Sequence, residues 1–281
     1  MVADAGSAVG RATAIAFAGA GHDVAVIATT GAQLDELAVE LLCHGARSVA
    51  IEVDRHDVAA IRSAAAEVER RLGEIEVWID VASFSAITSL PVTDQAIRSE
   101  MFRPPDDSYL ARAIGTIAAI ETMRTRNRGV VVCVNSAASY RPEPDHPTEA
   151  AEAFALRGFL QAVRTDLLRR GLDIRLVNVV APPQMLRAGW GEGPGEDEQV
   201  VALARAITRA AHRGRQHQVH RLGTWIAVLG ARVAPGVSDH LVALRSSRVT
   251  SGHRSPAEAA RELGTATAAR AREILHLAAS S

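Results

Sequence analysis

The chain has 281 residues, is 48% hydrophobic and carries a formal net charge of −1. That supply of apolar side chains excludes a wholly disordered chain, and the near-neutral balance gives no basis for a nucleic-acid partner or an acidic membrane. All 31 basic residues are arginines, so chemistry that needs a lysine is closed to this chain.

Met1 and Val2 lead into a small-residue turn, Ala3-Asp4-Ala5-Gly6-Ser7-Ala8-Val9-Gly10, which runs directly into a helical pattern near 9–20. Either the first strand is stunted or the sequence starts downstream of the true beginning. Short runs rich in Val and Ile then predict strands over His22–Ala28, Arg47–Val53, Ile75–Ala82, Gly129–Asn135 and Asp173–Ala181. They are almost continuously apolar, as strands buried on both faces must be. Helical patterns near 31–44, 57–72, 106–126, 148–170 and 196–212 separate or follow them. Repeated βα units predict an α/β fold: a doubly wound parallel sheet, Rossmann-like, in three α/β/α layers. Gln216–His220 reads as a short polar edge strand. The alternation stops near 222, so the reading is one domain over 1–222 and a helical C-terminal extension over 223–281, peripheral or partly disordered.

Cys43 and Cys133 lie far apart on different elements, the pattern of reduced thiols rather than of a disulfide framework or zinc site. No apolar run reaches membrane-spanning length and no basic-then-apolar leader opens the chain, so a soluble, cytoplasmic protein is expected. His212, His217 and His220 have no convincing metal-ligand spacing and read as part of a polar edge; no metal is expected.

Together, the strand pattern and the loop residues over about 1–222 resemble the short-chain dehydrogenase/reductase family. Its opening TGxxxGxG turn lets backbone N–H groups approach a cofactor pyrophosphate at a helix N-terminus. The resemblance implies a nicotinamide dinucleotide, NAD(P), touching Gly6, Ser7, Val9, Gly10, Asp54, Ala82 and Pro182. Several motif positions depart. Asp4 and Ala8 replace two of the three glycines, Asp80-Val81-Ala82-Ser83 stands for NNAG, and Pro182-Pro183 stands for PG. No acid or arginine follows the second strand at Thr29-Thr30.

The catalytic serine of the family falls on Ser136, at the end of the fifth strand. Its tyrosine, thirteen residues on, falls on Glu149, and its lysine, four further on, falls on Ala153. The partner asparagine falls on Ser108. Carbonyl reduction needs a proton donor at oxygen, and a phenol near pKa 10 serves only beside a cation. The first reading is therefore a member without the tyrosine–lysine pair, non-catalytic or very weakly active, kept for binding a small-molecule ligand or supporting an oligomer or partner. An alternative is an oxidoreductase with an altered site, in which Tyr140 gives the proton beside Arg141. A second alternative is lyase or isomerase chemistry using Glu149 or His146. Trp190 lines a cleft or caps the core. Apolar residues Ile114, Ile117, Phe159, Leu160, Val163 and Leu167 exceed what one sheet face needs. In the family such helices pair subunits, so a homodimer or homotetramer is expected.

Overall fold

A computed structural model describes residues 1–29, 32–81, 109–143, 146–187, 196–213 and 217–219. All of them belong to a compact unit over Met1–Ser238. The expected extension over 223–281 lies outside the described residues.

The strands are β1 (Val2–Ala3), β2 (Val24–Ala28), β3 (Ser48–Glu52), β4 (Val77–Val81), β5 (Gly129–Ser136), β6 (Ile174–Ala181) and β7 (His217–Val219). They form one sheet in the order β3-β2-β1-β4-β5-β6-β7, with every neighbouring pair parallel. The helices are α1 (Ala8–Ala18), α2 (Ala32–Cys43), α3 (Val58–Leu72), α4 (Tyr109–Arg124), α5 (Pro147–Arg169) and α6 (Glu196–Arg213). Each strand and helix expected up to residue 213 is present, with ends shifted by a few residues, and the polar edge strand is real. The first strand spans two residues, seated in the middle of the sheet between β2 and β4.

Alternation along the strands sends neighbouring side chains to opposite layers. Val24 and Val26 of β2 pack with Val9, Phe17, Leu37, Leu203 and Ile207 of α1, α2 and α6. Ala25 and Ile27 pack with Ile61, Val68, Met123, Leu156 and Leu160 of α3, α4 and α5. Both faces are covered, which explains why β2 is apolar and buried at all five positions. Local signals set the helix starts. Ser7 caps α1 by accepting from the Gly10 N–H, and Asp57 caps α3 by accepting from Ala59 and Ala60. The register places Ser136 opposite Ala181, so the loops after β5 and β6 leave the sheet side by side.

Candidate functional site

The carboxyl ends of parallel strands carry the sites of such sheets, and β5 and β6 meet α5 there. Ser136 closes β5 fully buried and is fixed from several sides. Its backbone N–H donates to the Asn135 side chain at 2.8 Å, and its hydroxyl oxygen accepts from the Ala138 N–H at 3.1 Å. The hydroxyl itself donates to Glu149 Oε1 at 2.9 Å. Glu149 therefore lies where the thirteen-residue spacing puts the proton donor of the resemblance. Spacing and space agree because Pro147 starts α5 and presents its first turn to the serine.

The rest of the network was not foreseen. Arg187, just past the 3₁₀ turn Pro183–Leu186, donates from Nε to Glu149 Oε2 at 2.9 Å and from Nη2 to Glu143 Oε2 at 2.5 Å. Burial alone would pull the Arg187 guanidinium down, but hydrogen bonds and charge from Glu143 and Glu149 hold it above its ordinary value. Ser136, Glu149, Arg187 and Glu143 thus form a chain of charge-assisted hydrogen bonds. Arg187 stands five residues past Pro182 in no motif. The one available signal was that a lysine-free chain must answer a buried glutamate with an arginine.

Ala153, at the lysine position, is fully buried, and its carbonyl accepts from Asn135 Nδ2 at 3.0 Å. Tyr140 packs with Ala137 and Val180, and the Arg157 guanidinium lies 4.4 Å from its ring centroid. The cation at that ring is therefore Arg157, nearly three turns into α5, where sequence adjacency had suggested Arg141. His146 precedes α5 without a side-chain capping bond. Pro182 ends the β6 loop and accepts from the Met185 N–H at 3.1 Å. Ala82, Ser108, Trp190 and His220 lie outside the described residues, as does the side chain of His217.

The opening turn is tied up internally. Asp4 sits at φ 61, in the left-handed region that a glycine adopts freely and an aspartate tolerates. Its carboxylate turns inward, 3.9 Å from Arg55, whose other terminal nitrogen is 2.7 Å from Asp80. Arg55 and Asp80 are buried, at 3% and 0% exposure. Asp4, at the first glycine position of the opening turn, and Asp80, the first residue of the stretch that stands for NNAG, are thus joined through one arginine. The Ser7 hydroxyl donates to the Asp4 carbonyl and accepts from Gly10, occupying an N–H that could otherwise face a phosphate. Gly10 has a purely internal reason to persist: a Cβ there would lie 2.1 Å from the Asp4 carbonyl oxygen. Val9 is core, Gly6 is exposed, and Asp54 accepts from the His56 N–H as a turn residue. An aspartate with its carboxylate turned inward at the first glycine position, a capped helix N-terminus and a buried methyl in place of the ribose-binding ammonium do not fit NAD(P) held in the family's manner.

Among the described residues no group of three or more His, Cys, Asp or Glu is placed to hold a metal, and no helix is long and apolar enough to cross a membrane.

Comparison with known proteins bears on the origin of this arrangement. A short chain dehydrogenase of Pseudocercospora fijiensis is 27% identical over 173 residues, 61% of this chain and 55% of that protein. The chain thus spans about half the length of that relative. An uncharacterized oxidoreductase of Escherichia coli, YohF, is 25% identical over 236 residues, 83% of this chain and 89% of that protein. Among solved structures, a short-chain dehydrogenase from Streptomyces avermitilis superposes with a TM-score of 0.64 at 21% identity, covering 89% of this chain and 98% of that one. A 3-ketoacyl-ACP reductase from Sinorhizobium meliloti gives 0.62 at 18% identity, covering 78% and 95%. The family model for short chain dehydrogenases matches residues 1–190, and the chain belongs to that family.

Proposed function

We propose that this protein is a family member that does not carry out nicotinamide-dependent hydride transfer and is kept for small-molecule binding or for support of an oligomer or partner. The observation that carries the reading is the Ser136–Glu149–Arg187 network. In the family's reaction a phenol at this position gives a proton to a carbonyl oxygen, with a cation beside it. A carboxylate paired with a guanidinium accepts hydrogen bonds and has no proton to give. Glu149 has one oxygen on Ser136 and the other on Arg187, which also argues against its use as a base.

Two further placements belong to the same reading. Cys43 and Cys133 are both free thiols, in keeping with a reducing cytoplasm. Ile117 and Leu110 of α4 and Phe154 of α5 are exposed, in keeping with a second copy against these helices. Leu160 and Leu167, counted from the sequence as surplus, are instead in the core.

The relatives' names favour a second reading, an oxidoreductase using Tyr140, and the Arg157 cation over its ring is the observation on its side. One titration separates the two. The purified chain, mixed with NADH or NADPH up to about millimolar, should change neither its fluorescence nor its melting temperature. The absence of a shift would remove the second reading; a saturable shift would weaken the first, cofactor-dependent turnover would overturn it, and full turnover by the Tyr140→Phe variant would then remove Tyr140 as donor.

A further inference from the structure

His212 finds a partner 190 positions away in the sequence. The turn between α1 and β2 brings His22 against the last turn of α6, and the two Nε2 atoms stand 3.2 Å apart. The tautomers follow from what surrounds them. His212 Nδ1 is 2.7 Å from the Thr208 carbonyl, which can only accept, so Nδ1 carries the proton and Nε2 presents its lone pair. The His22 Nε2–H must then donate across the pair.

The pair is held in place. The His22 backbone N–H donates to the Phe17 carbonyl at 3.2 Å. The Phe17 ring, 5% exposed, stacks on His212 at 6.1 Å and lies tilted against His22 at 5.5 Å. The neighbouring carboxylate is committed elsewhere, since Asp23 accepts from the Arg47 backbone and from both Nε and Nη2 of its guanidinium.

We infer that His22 and His212 form a two-imidazole site for a nitrogen-preferring divalent transition metal, of the class Zn²⁺, Ni²⁺ or Cu²⁺. A tetrahedral ion about 2.0–2.1 Å from each nitrogen would set them about 3.3 Å apart, close to the spacing already present. Binding asks only that His22 hold its proton on Nδ1 and turn its Nε2 lone pair to the ion. The bond from His212 Nδ1 to a backbone carbonyl is the outer-shell contact that fixes a ligating histidine. The rings are solvent-accessible, so water or an outside group completes the coordination, and the site exchanges with solvent. Imidazole donors exclude Mg²⁺ and Ca²⁺, which take oxygen ligands. An occupied site would clip the first helix to the last one described, across 190 positions of sequence.

Calorimetric titration of the full chain with ZnCl₂ and NiCl₂ should show saturable binding, and MgCl₂ should show none. His22→Asn and His212→Asn should each weaken the tightest site by more than about tenfold. The Zn²⁺-induced rise in melting temperature should vanish in both. Cu²⁺ bound at one equivalent should show electron-spin coupling to two imidazole nitrogens, a readout that needs no variant. The inference is overturned if the wild type shows no saturable Zn²⁺ binding, if the variants bind as it does, or if Cu²⁺ couples to fewer than two nitrogens.

Discussion

Glu149 shows how one substitution sets its surroundings. Placed thirteen residues past a buried serine, a carboxylate in that pocket needs partners, and it has a hydroxyl on one oxygen and a guanidinium on the other. Replacing it with alanine strands part of the Arg187 hydrogen-bonding capacity. Glu143 remains and Arg187 keeps 19% exposure, so the expected loss is at the low end for charged bonds, about 1–2 kcal/mol in urea unfolding. Ser136 and Glu149 were legible in the sequence because strand end and helix start fix their spacing. Arg187 was not, because its partnership depends on β6 lying beside β5, a contact no local pattern encodes.

At the scale of elements, Arg55 joins the ends of three strands. It leaves β3, meets Asp80 in β4 and lies beside Asp4, which follows β1. Arg55→Leu would take the Arg55 guanidinium away from the Asp80 carboxylate, which is at 0% exposure. The expected cost is about 3–5 kcal/mol, read by urea unfolding, while Arg62→Leu, in an exposed and solvent-screened pair with Glu121, should leave the unfolding midpoint almost unchanged. The strands themselves were readable because both their faces are buried, leaving runs with no polar interruption. The motif departures at Asp4 and Asp80 were equally visible, but not that they answer one another. Taken singly, Asp4 reads only as a replaced motif glycine; the third residue, Arg55, turns the pair into an internal contact.

For the whole molecule, the two thiols report on the integrity of the sheet. Cys133 faces the α3–α5 side of the core, and burial, with the nearby Asp80 charge, pushes its thiol up to about 12. Cys43 is exposed at the end of α2. A thiol reagent at pH 8 should therefore label one cysteine promptly and the second only as the protein unfolds. Prompt labelling of both would show that β5 opens without global unfolding. The parallel sheet and its three layers could be anticipated because βα units wind one way. The distant contact of His22 with His212 could not, since it depends on how α6 packs against α1 once the sheet is complete.

The closed network at Ser136 also bears on descent. Suppose the tyrosine were restored at 149 by one substitution: Arg187 would lose a carboxylate and no cation would stand at 153. Suppose instead the lysine came first: an ammonium would enter a fully buried position beside a carbonyl already taken by Asn135. Neither substitution alone supplies a phenol with a cation beside it, and the positions are coupled, so their effects do not add. Building that pair would take both substitutions together.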